Sequence, residues 1–343
     1  MEPLRIGILG AARIAPLSIV APAHTVGARL VAVAARDRAR AQTFAAEHGI
    51  EHVVDSYEAL VTDPDVDVVY NPLPNGLHGP WNLRAAQAGK HVLAEKPFAS
   101  NAAEARQVVA AAQTARVRLL EAFHYPFHPV FTRLCALIEA GAIGQVRHVE
   151  APMRMPAPAP DDPRWQLDLA GGSTMDLGCY AFHAGRHLGR RFCGGEPTIT
   201  TAIARERPGH PGVDERLSVE AQYPSGATAA LGSDMNAGDD MDEPGQWDFH
   251  LRVTGTTGSV RAANVVQPHL DDTIELRRDG REPVVEHAGT RSSYTYQLEA
   301  FTALVREGRP LGYDPFEDVV AQAEFVDAAY RAAGLQPRPS RTL

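Results

Sequence analysis

The chain has 343 residues, 44% hydrophobic and 22% charged, enough for two ordinary globular domains with real cores. A net charge of -9 excludes a general nucleic-acid-binding surface, which must be basic to meet phosphate. Cys135, Cys179 and Cys193 lack the number and spacing of a disulfide framework or a zinc site, no run approaches the roughly 18 apolar residues of a membrane helix, and an apolar strand starts at Leu4 with no cleavable leader, so a soluble, reduced, cytoplasmic protein without metal or membrane partner is expected.

Residues 4–9 form a short apolar run ending at Gly10, and an Ala-rich stretch follows. Residues 29–34 are a second apolar run, and 38–48 read as an amphipathic helix. Next come a short strand at 53–54, a short helix at 56–61, a buried strand at 67–70 and a helix over 80–88 stopped by Gly89. A strand at 91–94, a helix over 102–114 and a strand at 118–121 close the series. Strands alternating with helices predict a parallel, doubly wound sheet, and such short apolar runs suit strands covered on both faces. One more helix, 129–140, precedes a change of pattern. From about Val146 the strands alternate more clearly: 218–223, 227–235, 248–254, 259–263 and 273–278, separated by Gly- and Pro-containing turns. That predicts a mostly antiparallel sheet with one face buried. The Pro-rich stretch 152–163 reads as a loop, and 296–307 and 316–333 as closing helices. The predicted class is α/β: an N-terminal Rossmann doubly wound parallel sheet over residues 1–122, then a C-terminal α+β domain, 123–343, whose open, mostly antiparallel sheet serves substrate binding and oligomerisation.

At the first strand-to-helix turn, Gly10-Ala11-Ala12-Arg13-Ile14-Ala15 stands where a dinucleotide fingerprint reads Gly-x-Gly-x-x-Gly. Gly10 keeps the first position, while Ala12 and Ala15 replace the others. Small residues still let a pyrophosphate approach a helix N-terminus. Read alone, the turn is equally a tight connection in any α/β protein. The second strand says more. It ends Ala34-Ala35-Arg36-Asp37-Arg38, with Ala35 where an NAD binder carries the acid for the ribose hydroxyls. Arg36 offers a planar fork to a 2′-phosphate, and Arg38 and Arg40 add charge nearby. NADP(H) is therefore favoured over NAD(H). Asp37 is the residue that argues the other way.

Four further motifs carry a resemblance. They are Pro72-Leu73-Pro74-Asn75-Gly76-Leu77-His78, Glu95-Lys96-Pro97 after Gly89-Lys90-His91-Val92, Glu121-Ala122-Phe123-His124-Tyr125, and Gly171-Gly172-Ser173-Thr174-Met175-Asp176-Leu177-Gly178-Cys179-Tyr180. In this order and spacing they make the whole chain resemble the glucose–fructose oxidoreductase / inositol dehydrogenase-like (Gfo/Idh/MocA) family. The branch that looks nearest is that of dimeric dihydrodiol dehydrogenases and NADP-linked aldose dehydrogenases, because the second strand ends Ala-Ala-Arg and the acidic motif ends in Tyr180 rather than His. The resemblance implies a nicotinamide cofactor, a carbohydrate-like small-molecule substrate, and a homodimer or larger homo-oligomer formed through the sheet. It implies cofactor contacts at Pro74, Asn75, His78, Glu95 and Lys96, and a cis Lys96–Pro97 bond. Pro126 departs from that branch, which has an Arg after the Tyr, and this puts substrate transfer from the branch in doubt.

Hydride transfer at a carbon bearing oxygen needs a proton carrier and a partner for the developing oxyanion. Lys96 follows the strand at 91–94, at the carboxyl end of the sheet where ligands of such sheets bind. Without the family it would read as a surface Lys. Asp176 and Tyr180 are four residues apart, on one face of a helix, and without the family would read as a cap and a core aromatic. Together Lys96, Asp176 and Tyr180 are the catalytic candidates. Tyr180 would pass the proton with its pKa lowered by Lys96, and Asp176 would orient the substrate hydroxyl or the Lys. The sequence leaves either Lys96 or Tyr180 as the proton carrier. Tyr125, His128, Arg164, Trp165 and His183 are candidate substrate contacts, with Arg164 and Trp165 equally readable as a loop anchor. The pairs His183/His187 and His124/His128 have metal-like spacing but no third ligand. Asp239, Asp240, Asp242 and Glu243 read as a solvated acidic loop. The competing functions are a dinucleotide-binding regulator without turnover, disfavoured by the three catalytic candidates, and a lyase or glycosidase that recycles NAD, disfavoured by Arg36.

Overall fold

The computed structural model describes residues 2–238 and 246–343. The acidic stretch Asp239, Asp240, Asp242 and Glu243 lies outside the described residues. The chain forms two compact units that interleave along the sequence. The first comprises residues 1–123, 294–323 and 339–343, and the second 124–293 and 324–338. No helix among the described residues is long and apolar enough to cross a membrane.

The first unit is built on six parallel strands: β1 (Arg5–Leu9), β2 (Arg29–Ala34), β3 (His52–Val53), β4 (Val68–Asn71), β5 (His91–Ala94) and β6 (Leu119–Glu121). Their order is β3-β2-β1-β4-β5-β6, the doubly wound order whose switch point lies between β1 and β4. Nearly every residue of β1, β2, β4, β5 and β6 is buried, as expected of strands covered on both faces. A π turn at Pro16–Val20 leads into α1 (Ala21–Val26). Then come α2 (Arg38–His48), α3 (Tyr57–Thr62), α4 (His78–Gln87) and α5 (Ala102–Ala115). The starts of α2, α3 and α5 are written in the sequence, since Asp37, Ser56 and Asn101 accept from the first free N–H groups.

The second unit carries α6 (Pro129–Glu139), α7 (Cys179–Phe192) and an open eight-stranded sheet. Its strands are β7 (Val146–Arg154), β8 (Thr198–Glu206), β9 (Asp214–Gln222), β10 (Thr228–Asp234), β11 (Leu251–Gly255), β12 (Gly258–Ala262), β13 (Thr273–Arg278) and β14 (Val284–His287), in the order β14-β13-β12-β11-β7-β10-β9-β8. All pairings are antiparallel except β7 with β10. The expected class holds, with two differences. The edge strands β8 and β14 were not expected: most of their residues are exposed, so they lack the alternation that marks a half-buried strand. And β7 runs through Pro152, inside the stretch expected as a loop. Proline has no N–H for a ladder, but Pro152 falls between the last β11 partner, Glu150, and the bridge of Arg154 to Asp248. α8 (Ser293–Glu307) and α9 (Pro315–Ala332) complete the chain.

α7 lies close against the sheet because glycine stands where it meets it. A Cβ on Gly185 would strike Leu231, and one on Gly189 would strike Tyr223. The turn before α7 is tied down by a buried ion pair, Asp214 with Arg338, both side chains fully buried. Asp214 also accepts from Thr174 N–H (2.7 Å) and Tyr330 Oη (3.0 Å). Arg338 donates to Gly171 O (2.6 Å) and Gly212 O (2.8 Å) and lies over the Tyr330 ring, 4.1 Å from its centre. Gly172, at φ +128°, is open only to glycine, and a Cβ there would meet both Asp214 and Arg338. Arg338→Met leaves the Asp214 carboxylate buried and uncompensated, which should lower unfolding free energy by about 3–5 kcal/mol. Urea unfolding should show a large part of the loss recovered in the double variant Arg338→Met, Asp214→Leu; an unchanged midpoint in the single variant would contradict this account.

Candidate active site

In the first unit, the turn after β1 puts Gly10 at φ +86°, with its N–H donating to Ala34 O at 2.6 Å. Ala12 and Ala15 close the next turn, Ala15 N–H to Ala12 O at 3.1 Å, with Arg13 and Ile14 exposed between them. Ala11 is buried, and its carbonyl accepts from Arg40 Nη2 at 2.7 Å.

At the end of β2, Arg36 and Asp37 stand in different settings. Asp37 is the N-cap of α2, its Oδ1 accepting from Ala39 N–H (2.9 Å) and Arg40 N–H (3.2 Å). Arg38 is paired with Asp55, and Arg40 is spent on Ala11. Arg36 is exposed, and among the described residues no hydrogen bond or ion pair engages its guanidinium.

Lys96 leaves the carboxyl end of β5 half-buried, and the Lys96–Pro97 peptide is cis. Buried polar side chains strap the backbone around it. The two ring nitrogens of His78 lie 2.7 Å from Pro97 O and 2.5 Å from Leu73 O. Asn82 donates to Phe98 O (2.9 Å), and Phe98 N–H donates to Glu121 Oε1 (2.9 Å). Asn82 is itself held by Asn71 (2.8 Å). Next to Lys96, buried Glu95 accepts from Tyr70 Oη (2.7 Å), which lies 2.6 Å from Ser18 Oγ. Burial, reinforced by the Glu95 charge, pushes the Tyr70 phenol well above its ordinary range, so it stays a donor.

In the second unit, Asp176 lies in a π turn, Thr174–Gly178, that runs into α7. Its carboxylate accepts from Arg164 Nε at 2.6 Å, and Arg164 also reaches Asp162 at 3.2 Å. The Asp176 charge holds the Arg164 pKa above its ordinary value. One turn on, Tyr180 is buried, its hydroxyl 3.2 Å from His124 Nε2. His124 Nδ1 lies 2.8 Å from Ser293 Oγ. A second pair stands alongside: Tyr125 Oη is 2.7 Å from His183 Nδ1, and the His183 and His187 rings lie 4.0 Å apart.

Residues 4–123 match the Gfo/Idh/MocA oxidoreductase family with its NAD-binding Rossmann fold, and residues 131–261 match the Gfo/Idh/MocA C-terminal domain. The chain belongs to this family. It is an oxidoreductase with a nicotinamide-dinucleotide fold. It is 38% identical over 333 residues to a D-xylose 1-dehydrogenase (NADP(+)) from Haloferax volcanii, spanning 95% of this chain and 96% of the relative. It is 37% identical over 348 residues to a dTDP-3,4-didehydro-2,6-dideoxy-alpha-D-glucose 3-reductase from Actinomadura kijaniata, spanning 97% and 96%. Among solved structures, a 3-ketoreductase from Actinomadura kijaniata in complex with NADP and TDP-benzene superposes with a TM-score of 0.85 at 29% identity, covering 96% of this chain and 98% of that one. That reductase has also been solved as a Tyr-to-Phe variant and as a Lys-to-Ala variant.

Against this family frame, the expected site residues divide. In the first unit, Gly10, Ala11, Ala12, Arg13, Ile14 and Arg36 lie at or just beyond the carboxyl ends of β1 and β2, and Pro74, Asn75, Glu95 and Lys96 follow β4 and β5. In the second unit, Asp176 and Tyr180 share one helical run with His183. Three expected contacts are committed elsewhere. His78 is buried between two carbonyls and shapes the Lys96 loop rather than presenting a ring to a cofactor. His128 caps α6: its Nδ1 accepts from Val130 N–H (3.1 Å) and its Nε2 donates to Arg291 O (3.0 Å), with burial pushing its pKa down toward that neutral form. Trp165 is a buried loop anchor, stacked under Arg207 at 4.7 Å. His124 was missed as a partner of Tyr180. Its spacing to His128 raised only a metal reading, set aside for want of a third ligand, and the contact with Tyr180 spans 56 residues.

Burial outweighs the two carbonyls at His78 and lowers its pKa from 6.5 to about 4. Between those values the unfolded chain binds a proton that the folded one does not. Stability is therefore held above pH 6.5 and lost as pH falls toward 4, by up to about 3 kcal/mol from this group. His78→Asn should be less stable at pH 7 yet show a flatter decline into acid. Parallel pH slopes for the two proteins in urea unfolding would exclude His78 as the source.

Proposed function

We propose that the chain is an NADP(H)-dependent dehydrogenase or reductase of sugars and related carbonyl compounds, with Lys96 and Tyr180 as its catalytic residues. The coenzyme reading is carried by one observation: Asp37 is occupied as a helix cap while Arg36 is left exposed beside Ala35. The acid that would accept from ribose hydroxyls in an NAD binder has no counterpart here, and a fork fit for a 2′-phosphate stands in its place. The small residues Gly10, Ala12 and Ala15 suit close approach of a pyrophosphate. The NADP named for the D-xylose dehydrogenase and for the 3-ketoreductase complex agrees with this.

Bound nicotinamide supplies a hydride acceptor or donor for the substrate carbon. The protein's own residues do the rest. Lys96, on a loop whose backbone is fixed by His78, Asn82 and Glu121, offers N–H donors and a positive charge to the substrate oxygen as it gains charge. Tyr180 Oη takes the hydroxyl proton in oxidation and returns it in reduction. Asp176, its carboxylate oriented by Arg164, accepts from a substrate hydroxyl. The solved variants of the 3-ketoreductase, one at a tyrosine and one at a lysine, concern the same two residue types.

Removing the phosphate partner should cost about 1–3 kcal/mol of NADP binding. Ala35→Asp combined with Arg36→Ile should then shift preference to NAD in calorimetry. Equal affinity of the native protein for NAD and NADP would overturn the coenzyme reading.

Tyr180→Phe keeps the ring and removes one oxygen, so folding should be retained while turnover of D-xylose with NADP falls by about 10²–10⁴. Lys96→Ala should lose at least as much. Folded variants with near-native kcat across a panel of aldoses would remove these residues from the chemistry.

A further inference from the structure

We propose that His124 is the proton acceptor behind Tyr180, and that Ser293 sets it, so that the three side chains form a relay Tyr180–His124–Ser293. The proposal rests on the reading of Tyr180 as the proton carrier.

The geometry is a single file of atoms. Tyr180 Oη lies 3.2 Å from His124 Nε2, and His124 Nδ1 lies 2.8 Å from Ser293 Oγ. His124 and Ser293 are fully buried and Tyr180 nearly so. The three come from separate places in the second unit: the segment after β6, the second residue of α7 and the first residue of α8. The imidazole stands edge-on to the phenol ring, centres 5.9 Å apart, which turns Nε2 toward the hydroxyl.

A neutral imidazole has one N–H and one lone pair, so the partner of one nitrogen decides what the other can do. When Nδ1–H donates to Ser293 Oγ, Nε2 presents its lone pair to Tyr180 Oη–H and can take that proton. In oxidation the substrate C–H leaves as hydride to the nicotinamide and the substrate O–H proton passes to Tyr180 Oη. The proton Tyr180 held moves to His124 Nε2, giving an imidazolium that keeps its Nδ1–H on Ser293. Reduction runs the same transfers backwards. A phenol ordinarily titrates near 10 and holds its proton at neutral pH; an imidazole behind it gives that proton a place to go in a buried site. The other titratable groups alongside in this unit are Asp176, one turn before Tyr180 and paired with Arg164, the adjacent Cys179, Tyr125, whose ring centre is 6.3 Å from that of Tyr180, and beyond it His183 and His187. Tyr125 Oη is engaged by His183.

The test compares Tyr180→Phe, His124→Gln, His124→Phe and Ser293→Ala in the full chain, with D-xylose and NADP as probe. Glutamine keeps a hydrogen-bonding amide but cannot titrate. His124→Gln should retain NADPH binding and KM, lose kcat for oxidation by about 10-fold or more, and lack the acid limb that an imidazole acceptor imposes on the pH profile. Ser293→Ala should show a smaller loss with the limb retained. Equal loss in His124→Phe and His124→Gln supports the relay, whereas rescue by Gln to wild-type kcat and pH profile makes His124 a structural support only and overturns it. Near-native turnover in Tyr180→Phe would sink the reading of Tyr180 itself. A substrate-free readout stands beside these: in ¹⁵N-histidine spectra, Tyr180→Phe should shift the His124 Nε2 resonance and leave that of His24 in place. An unmoved His124 signal also overturns the relay.

Discussion

The second unit depends on a buried carboxylate meeting a buried guanidinium. Asp214 and Arg338 are 124 residues apart in the chain, and neither side chain reaches solvent. Two charges withdrawn from water are stable only when their remaining donors and acceptors are also filled, and here Thr174 N–H, Tyr330 Oη, Gly171 O and Gly212 O fill them. Three of those partners bear on the turn before α7 or on the helix behind it. The pair thus fixes where α7 begins, and with it where Asp176 and Tyr180 stand. The double glycine at Gly171 and Gly172 follows from the same constraint: a side chain at either position would occupy space already taken by Arg164 O, Asp214 or Arg338.

The first unit meets a matching problem in the loop after β5. The loop that carries Lys96 is irregular, so its backbone groups lack ladder or helix partners. His78, Asn82 and Glu121 supply them from α4 and β6, each buried and each bonded to the main chain of residues 97 or 98. Burial, which disfavours the charge, outweighs the pull of two carbonyls on the His78 ring, and the neutral ring has one N–H to give to one of them. Both units hold their candidate side chains through buried polar groups reaching across long sequence separations, while the apolar core supplies the sheet beneath.

That division explains what could be read from the sequence. Periodicity is local, so β2, α2 and β5 were legible to the residue, whereas Asp37, Ser56 and Asn101 were not read as caps and take that role only in the fold. Family motifs singled out Lys96, Asp176 and Tyr180 as candidates. Buried polar contacts are not periodic. Nothing in the pattern around Arg338 announces that it is buried, and His124 looks like half of a metal pair until Tyr180 is seen beside it. His78 and His128 were legible as special but not as to purpose, because a histidine that binds a ligand and one that binds a carbonyl read alike. The edge strands β8 and β14 were missed for the opposite reason: they are exposed on most positions, and exposure erases the alternation that pattern reading needs.

The capping role of Asp37 has a bearing on how coenzyme choice could change over evolution. An acid already sits one residue past Arg36, with one of its oxygens holding two amides at the start of α2. If Arg36 meets a 2′-phosphate as proposed, replacing it alone would lose that contact and gain no hydroxyl acceptor, and an acid at Ala35 alone would stand beside a phosphate it repels. On the proposed NADP reading, a change of coenzyme therefore needs both positions altered together, a replacement at Arg36 and an acid at Ala35.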